Sequence, residues 1–201
     1  MKDNKWCTTV DETCFETAQQ NMDYDEKLIN GLPESSHILR EYRWKSPGIT
    51  YSYKQSCPSN LAHFDHAKRV TGGGIVFHSP GDIVFSISMW LNDPSFPGSL
   101  SKKLALIAEK IRTRLNINES IETTETSTID RDRCSMYPTP FEIILDNKKI
   151  LGLTIRRFKE KCLIQGVLHI SNSDPLFKTF INPFENYQEV NITTKYILIN
   201  A

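Results

Sequence analysis

Short apolar runs of strand length, each closed by turn residues, are the feature that most limits what this chain can fold into. Clear examples are ILREYRW (38–44), ITYSY (49–53) and DIVFSISMW (82–90). Runs of this length, rich in β-branched and aromatic residues and bounded by Gly, Pro, Asn or Asp, are typical of strands. The turn sequence SPG at 46–48 predicts that the first two runs form a hairpin. The fold must therefore be built on sheets.

The second half of the chain continues this pattern. GIVFH (74–78) leads through another SPG turn into the run at 82–90. FEIIL (141–145) and KILGLTIRRF (149–158) flank Asp146-Asn147, which predicts a tight hairpin, and CLIQGVLHI (162–170) predicts one more strand.

Helical patterns stand apart from the strands. The clearest is SKKLALIAEKIRTRLN (101–116), in which apolar residues recur at helical spacing. Two further helices are predicted over 12–31, which Gly31 and Pro33 end, and over 174–182, and a polar loop is predicted over 117–130. Six or seven strands with segregated helices predict an α+β domain with mixed, largely antiparallel sheets and flanking helices.

Length and composition narrow the class of protein. A chain of 201 residues is expected to form one domain, spanning 1–201. The formal net charge is zero, from 24 basic and 24 acidic residues, which argues against a nucleic-acid-binding protein. The N-terminus has no apolar signal segment and no run reaches ~20 apolar residues, so neither secretion nor a membrane span is expected. Five cysteines without CxxC spacing favour a reducing, cytoplasmic location.

The stretch RVTGGGIVFHSPGD (69–82) is the first candidate site. Three consecutive glycines let backbone N–H groups approach a bound anion closely, and Arg69 adds positive charge. The spacing matches neither a phosphate-binding GxxxxGK[ST] loop nor GxGxxG. The pattern by itself is also what a plain strand–turn–strand connection would show.

Three single residues are weaker candidates. Lys149 follows a predicted turn, where a lysine is usually solvated. Cys134 follows Arg131 and Arg133, whose positive charges would lower the pKa of its thiol and favour a reactive thiolate. His78 is placed on a predicted strand, where a packed histidine is common. No metal-ligand spacing such as HxxxH is present.

The order of these motifs along the chain resembles that of one family. AKRVTGGGIVFHSPGDIVFSI (67–87) is similar to the ligand-binding loop of lipoate–protein ligases and octanoyltransferases: a basic pair, two residues, three glycines, an apolar pair and His. NMDYDEKLI resembles the first helix of that family and LREYRWKSPGITYSYKQ its first hairpin. NKKILGL resembles its lysine motif, with the lysine at Lys149 and the glycine at Gly152. The resemblance covers roughly residues 18–183.

The resemblance implies a single catalytic domain with a curved sheet over the ligand, which places a lipoyl or octanoyl group on a lysine of a lipoyl carrier domain. That carrier would be the E2 subunit of a 2-oxoacid dehydrogenase or the H protein of glycine cleavage. Lys149 would be catalytic. The implied acyl- or adenylate-binding residues are Arg69, Thr71, Gly72, Gly73, Gly74, His78, Gly81 and Gly152.

Two mechanisms occur within the family. In ligases, ATP and Mg²⁺ activate lipoate as lipoyl-AMP, with Glu142 at the place of an acidic residue near the metal and Lys149 stabilising developing negative charge. In one transferase subgroup, a cysteine takes octanoate from acyl carrier protein as a thioester, without ATP. CSMYPTPFE (134–142) resembles that subgroup and places the cysteine at Cys134.

The sequence also departs from the family pattern. Gln165-Gly166 replaces the usual His-Gly, Phe141-Glu142 replaces Asn-Asp, and Leu151 and Leu153 replace small residues, which is expected to reshape the pocket. The chain ends at residue 201, so the accessory domain of many ligases is expected from a separate chain, if at all. An inactive acyl- or carrier-binding paralogue is the third alternative.

Overall fold

A six-stranded sheet forms the centre of the computed structural model, which describes residues 6–115, 141, 143–145 and 148–169. From one edge to the other its strands are β1 (Cys7–Asp11), β2 (Ser36–Arg43), β6 (Ile83–Trp90), β9 (Lys161–Leu168), β8 (Lys148–Phe158) and β7 (Ile143–Leu145). Strands β1 and β2 are parallel, and every other neighbouring pair is antiparallel. The predicted hairpin around residues 146 and 147 is confirmed as β7–β8.

A second sheet of three strands carries the segments around the glycine stretch. Its order is β4 (Asp65–Lys68), β3 (Gly48–Tyr51) and β5 (Val76–His78), with β3 parallel to β4 and antiparallel to β5. The hairpin predicted from residues 38–44 and 49–53 is therefore wrong. β2 already has β1 on one side and β6 on the other, so β3 has no edge of β2 to pair with.

Two α-helices are described, together with a one-turn 3₁₀ helix (Ser59–Leu61). α1 (Ala18–Asn30) begins at Thr17, whose side chain forms a capping box with Gln20, and ends at Gly31. The helix predicted over 12–31 thus starts six residues later, and residues 12–17 form an irregular connection from strand β1 instead. α2 (Leu100–Arg114) begins at the N-cap Ser99 and agrees with the predicted helix to within two residues.

The two α-helices cover opposite faces of the large sheet. Ile107 and Ile111 of α2 pack in a core cluster with Ile87 and Ile164. Met22 of α1 packs on the other side, in a cluster that contains Val84 and Val167. Because side chains alternate along a strand, the face that carries Val84 and Val167 also carries Ser86 and Gln165. The candidate site is built on this face.

Some predictions fall outside the described residues, namely the loop at 117–130 and the helix at 174–182. No helix in the described part of the chain is long and apolar enough to cross a membrane. The mixed sheets and flanking helices confirm the predicted α+β class.

Candidate functional site

The glycine loop, residues 69–75, connects β4 to β5 and lies against the large sheet. Gly73 has a φ of 89°, a left-handed conformation that residues with a Cβ rarely adopt. A Cβ added at Gly72 would meet no atom within 4 Å, so the loop borders open space at this position. The loop thus bends sharply and leaves room beside its backbone.

Side chains from inside the protein hold the loop by its carbonyl groups. Arg69 donates to the carbonyl oxygens of Gly72 (2.8 Å) and Gly74 (2.5 Å). From β8, Arg156 donates to the carbonyl of Val70 (2.6 Å) and Thr154 to that of Gly72 (3.2 Å). The loop conformation is therefore fixed by its own guanidinium and by the large sheet.

The direction of these carbonyls decides where the amide groups of the loop point. In a trans peptide the C=O and the following N–H point in opposite directions. With the carbonyls of Val70, Gly72 and Gly74 turned toward side chains, the N–H groups of Thr71, Gly73 and Ile75 are directed the other way. Backbone N–H groups that are directed away from the supporting side chains are available as donors to an anion. The loop can hold a phosphate or carboxylate oxygen without using the Arg69 side chain.

A buried polar chain ties the loop to three other elements. The Thr71 hydroxyl donates to the Gln165 side-chain oxygen (2.6 Å), and the Gln165 amide donates to Asp25 Oδ2 (2.7 Å). Arg40 donates to Asp25 Oδ1 at 2.6 Å, and both side chains of that ion pair are at most 1% exposed. A buried ion pair needs additional hydrogen bonds to offset the cost of desolvating its charges. Ser86, Asn21 and Gln165 supply them here.

His78 lies at the end of β5, where its ring stacks on Trp44 with centroids 4.1 Å apart. Its Nε2 is 2.9 Å from the Thr50 hydroxyl, which also accepts from Arg69 (3.2 Å). Burial, together with the positive charges of His169 and Arg69, holds the pKa of His78 well below its usual range. His78 is therefore a neutral imidazole at physiological pH, next to the loop but inside the protein.

A second group of residues links the turn at 79–82 to the lysine motif. The carboxylate of Asp82 accepts the Ser79 N–H (2.8 Å) and pairs with His169 Nδ1 (3.0 Å). The His169 N–H donates to the carbonyl of Ile150 (2.8 Å). Lys149 is the neighbour of Ile150, so these contacts bring the end of β9 against the lysine motif.

Lys149 itself lies beside an irregularity in β8. Ile144 pairs with Lys149, whereas Ile143 pairs with Leu151, so β8 has one extra residue, Ile150, at this point. Such a β-bulge bends a strand and redirects the neighbouring side chains. The position predicted to be catalytic is thus at a local distortion of the sheet.

The structure brings together most of the residues that the sequence predicted for the site. Arg69, Thr71, the three glycines and His78 lie in one continuous segment joined by hydrogen bonds. Gly81, with a φ of 91°, donates its N–H to the carbonyl of Trp44 (3.2 Å). Gly152 is on β8 opposite Val167. Cys134 and Glu142 lie outside the described residues.

Leu151 and Leu153 do not face the glycine loop. Both side chains are buried in the core cluster with Ile164. Thr154 and Arg156, which contact the loop, project from the opposite face of β8. Alternation along the strand turns the two leucines into the core, so any effect that they have on a ligand pocket would be exerted from that side of β8.

Asp25 and Arg40 form a buried ion pair behind the candidate site that the sequence does not predict. A signal was present: Asp25 is on the apolar face of a helix, and Arg40 interrupts the apolar run of a strand. A charged residue at a buried position is almost always paired, so each position predicts a buried partner, although the sequence does not identify which residue that partner is. Gln165 had been noted as a departure from the family pattern, and it proves to be the link between this pair and the loop.

The described residues include no grouped metal ligands, and the cysteine on β9 is not suited to act as a nucleophile. Within 6–115 and the described positions beyond, no three His, Cys, Asp or Glu side chains are grouped to hold a metal. Cys162 is buried, and burial raises the pKa of its thiol to about 11, so it stays protonated. Glu142, predicted to lie near the metal, and Cys134, the predicted nucleophile, are both outside the described residues.

Comparison with solved structures identifies proteins of the same fold. A lipoate–protein ligase A bound with ATP superposes with a TM-score of 0.68, over 96% of this chain and 79% of its own, at 18% identity. A lipoate protein ligase of T. acidophilum with bound lipoic acid gives 0.61, over 82% and 69%, at 20% identity. The bipartite lipoate protein ligase of Thermoplasma acidophilum, studied with its E2 lipoyl domain, gives 0.61, over 88% and 71%, at 19% identity.

Identities this low show a shared fold and no more. Comparison with curated protein sequences finds no match. The model of the family described as the lipoyl protein ligase A/B catalytic domain, however, matches residues 17–195, which is most of the chain. Together with the glycine loop on its sheet and the lysine motif beside it, this match shows that the chain belongs to the lipoyl protein ligase A/B catalytic domain family.

Proposed function

We propose that this protein transfers a lipoyl, or octanoyl, group to the lysine of a lipoyl carrier domain by way of an acyl-adenylate. In the first half-reaction the carboxylate of lipoate attacks the α-phosphorus of ATP, and pyrophosphate leaves. In the second, the uncharged amine of the carrier lysine attacks the acyl carbonyl; AMP leaves with the electrons of the broken bond, and the amine gives up a proton. Carboxylate, phosphate and AMP are all anions, so the site must hold negative charge throughout.

The observation that carries the proposal is the orientation of the glycine loop. Its carbonyls are held by Arg69, Thr154 and Arg156, which directs the N–H groups of Thr71 and Gly73 away from those side chains. Fixed donors of this kind can stabilise the phosphate and the developing carbonyl oxyanion, typically by about 3 kcal/mol for each donor aimed at the transition state. An amide donor also cannot lose its hydrogen over the physiological pH range.

The other residues take roles that follow from their contacts. Lys149, at the bulge in β8, supplies the positive charge for the phosphate and acyl oxygens. His78 remains neutral and positions Thr50, while Arg69 shapes the loop and does not bind substrate directly. Thr71 connects the loop to Gln165 and Asp25.

ATP fits the loop, because a chain of amide donors beside open space at Gly72 suits a phosphate. A divalent metal is not placed by the described residues, since no acidic cluster is found among them, so no step is assigned to Mg²⁺. In the family resemblance Glu142 would serve the metal.

Neighbours of the same fold support the choice of substrates. One has ATP bound, one has lipoic acid bound, and one was studied with its E2 lipoyl domain. We extend these ligands to the present chain and propose an E2 or H-protein lipoyl domain as the acceptor. Because one neighbour is bipartite, an accessory chain is included in the assay below.

The test separates the two half-reactions. Lipoate-dependent exchange of labelled pyrophosphate into ATP measures the first, and mass spectrometry of an unmodified lipoyl domain measures the second. Lys149→Ala is expected to lower both rates by at least 100-fold, since it removes a charge that acts on the transition state. The matched control is Lys148→Ala at the adjacent position, in which both rates should remain close to those of the wild type. Lack of exchange by the wild type, with and without an accessory chain, would refute the ligase mechanism.

The sequence CSMYPTPFE favours one further function, octanoyl transfer through Cys134 without ATP. In that reaction the Cys134 thiolate attacks the thioester of octanoyl acyl carrier protein, and the carrier thiol leaves. Incubation with this donor should then give an octanoyl adduct on the intact protein that is lost in Cys134→Ser. An adduct in the wild type without pyrophosphate exchange would replace the ligase proposal. Lipoate binding without either activity would indicate a binding module.

A further inference from the structure

Charge is unevenly distributed along this formally neutral chain. The three segments that surround the glycine loop, 51–58, 66–76 and 148–159, contain no Asp or Glu. They contain eight of the 24 basic residues: Lys54, Lys68, Arg69, Lys148, Lys149, Arg156, Arg157 and Lys159. The segment 11–34, which includes α1, has the opposite bias, with seven acidic residues and Lys27 as its one basic residue. The basic segments therefore meet at the loop, whereas most of the acidic residues belong to the segment that includes α1.

Part of this charge forms a defined surface with two tyrosines. Arg156 lies over the ring of Tyr53 at 4.2 Å, and Lys54 lies 5.6 Å from the same ring. Lys68 lies 6.0 Å from the ring of Tyr51. We call Tyr51, Tyr53, Lys54, Lys68 and Arg156 the tyrosine–lysine surface. Tyr53 is 40% exposed, and the two lysines are also exposed.

The tyrosine–lysine surface is attached directly to the glycine loop. The Tyr53 N–H donates to the carbonyl of Thr71 (3.3 Å), and the Tyr51 carbonyl accepts the Arg69 N–H (2.9 Å). Arg156 joins both sites, because the guanidinium that covers Tyr53 also donates to Val70. A macromolecule bound on this surface would reach the loop with a side chain of its own.

We propose that the tyrosine–lysine surface docks the acidic face of the carrier domain whose lysine accepts the acyl group. The inference rests on the proposed function and adds the partner's charge and the residues that recognise it. A carrier lysine has to leave its own domain and reach the loop, so the carrier must bind next to it. The five residues of the tyrosine–lysine surface include three cations and no Asp or Glu, and carboxylates on the carrier complement this charge.

The same contacts favour an acidic protein over a single-stranded nucleic acid. Nucleic acids bind such surfaces by stacking bases on open aromatic rings. Here Arg156 covers the ring of Tyr53, and Lys68 and His66 flank that of Tyr51. Tyr51 is also packed against the core. The tyrosine rings hold the cations in positions where they can bind carboxylates. The faces of the rings are covered and are not open for stacking with a nucleobase.

The experiment measures binding of an unmodified, acidic E2 lipoyl domain by titration calorimetry. Lys54→Glu/Lys68→Glu is expected to weaken binding at least tenfold, about the effect of reversing two charges at the rim of an interface. Wild-type binding should weaken as salt rises from 50 to 300 mM, and the double variant should lose most of this dependence. The control, Lys102→Glu/Lys110→Glu, makes the same charge change on α2, on the other face of the sheet, and should bind like the wild type.

Pyrophosphate exchange without carrier separates this inference from the proposed function. Lys54→Glu should exchange at the wild-type rate while binding the carrier more weakly, and thermal unfolding verifies that it is folded. A wild type that binds the carrier in a salt-dependent way but never exchanges would keep the docking surface and refute the ligase activity. Equal losses in the Lys54/Lys68 and Lys102/Lys110 variants, or displacement of the carrier by polyuridylate, would overturn the docking proposal.

Discussion

Gln165 uses both ends of its side-chain amide, one for Thr71 and one for Asp25. A glutamine can accept on its oxygen and donate from its nitrogen, so it joins a hydroxyl donor to a carboxylate acceptor without a change of protonation. An ionised carboxylate at this position would face Asp25 with like charge. The residue that departs from the family pattern thus suits the neighbours that it has in this chain.

We expect Gln165→Leu to destabilise the fold by about 2–4 kcal/mol, because it leaves the Thr71 hydroxyl and Asp25 Oδ2 without their partner in a buried site. The loop should lose its tie to α1, so lipoate binding should weaken as well. Urea denaturation measures the first effect and calorimetric titration with lipoate the second. Gln19→Leu, at an exposed position on α1, is the control and should change stability by less than about 0.5 kcal/mol. A stable Gln165→Leu protein with normal lipoate affinity would contradict this role.

At the scale of elements, the conformation of the glycine loop is held by side chains of β8 more than by the strands β4 and β5 that the loop connects. Thr154 and Arg156 are spaced two apart on one face of β8, and each donates to a loop carbonyl. Ile75 at the end of the loop packs in the core, and the other face of β8 packs there through Leu151 and Leu153. The two functions of β8 can therefore be separated by mutation.

Thr154→Val keeps the size and β-branching of the side chain and removes its hydrogen bond to Gly72. We expect less than about 1 kcal/mol loss of global stability, the value of one half-exposed hydrogen bond. Hydrogen exchange at the amides of residues 71–75 should become faster, and the KM for ATP should rise several-fold. Ile155→Val, which changes the core-facing side of the same strand, should show the reverse: lower stability with unchanged loop exchange. If Thr154→Val leaves loop exchange unaltered, this strand does not hold the loop.

How far the sequence predicts these elements depends on the length of their connections. The β7–β8 hairpin is predicted because a turn as short as Asp146-Asn147 can connect two strands only if they are adjacent and antiparallel. β2 and β3 are also joined by a short segment with turn residues, yet they separate into two sheets, since β1 and β6 occupy both edges of β2. β1 pairs in parallel with β2, and most of its residues are polar and exposed. The sequence therefore shows no alternation of apolar and polar residues that would predict this strand. Partner choice is a property of the sheet and not of a single strand.

The site shows the same limit. The glycine loop and the lysine motif could be found from the sequence, because each is a contiguous pattern with a chemical purpose. The chain from Thr71 to Arg40 could not, since its members are distant in sequence and join only when α1, β2 and β9 pack together. The sequence likewise predicts Arg69 as a residue of the site but not the contacts of its guanidinium with the loop carbonyls.

At the scale of the whole molecule, His78 makes stability depend on pH. Its pKa is depressed in the folded state by burial and by the nearby cations, whereas the unfolded chain protonates this residue below about 6.5. The unfolded state therefore binds more protons in mildly acidic solution. Stability contributed by the neutral, buried ring is fully present above pH 6.5 and is lost as the pH falls below it, by up to about 1.4 kcal/mol for each pH unit.

The measurement is the free energy of urea unfolding from pH 7.5 to 5. We expect the loss of stability toward acid to be smaller in His78→Gln than in the wild type, although His78→Gln is less stable at pH 7.5 because it loses the stacking on Trp44. His63→Gln, at an exposed position, should keep the wild-type slope. Equal slopes in all three proteins would show that His78 does not cause the dependence.

The internal bonding of Arg69 also bears on the thermodynamics of ligand capture. A loop that closes only around its ligand loses backbone entropy at that moment, and affinity falls accordingly. Here the guanidinium and two β8 side chains hold the loop in its bent form within the protein itself. The ordering of residues 70–74 is thus part of folding and not of binding. Anionic ligands meet a preorganised cradle, so their association should carry a small entropic penalty.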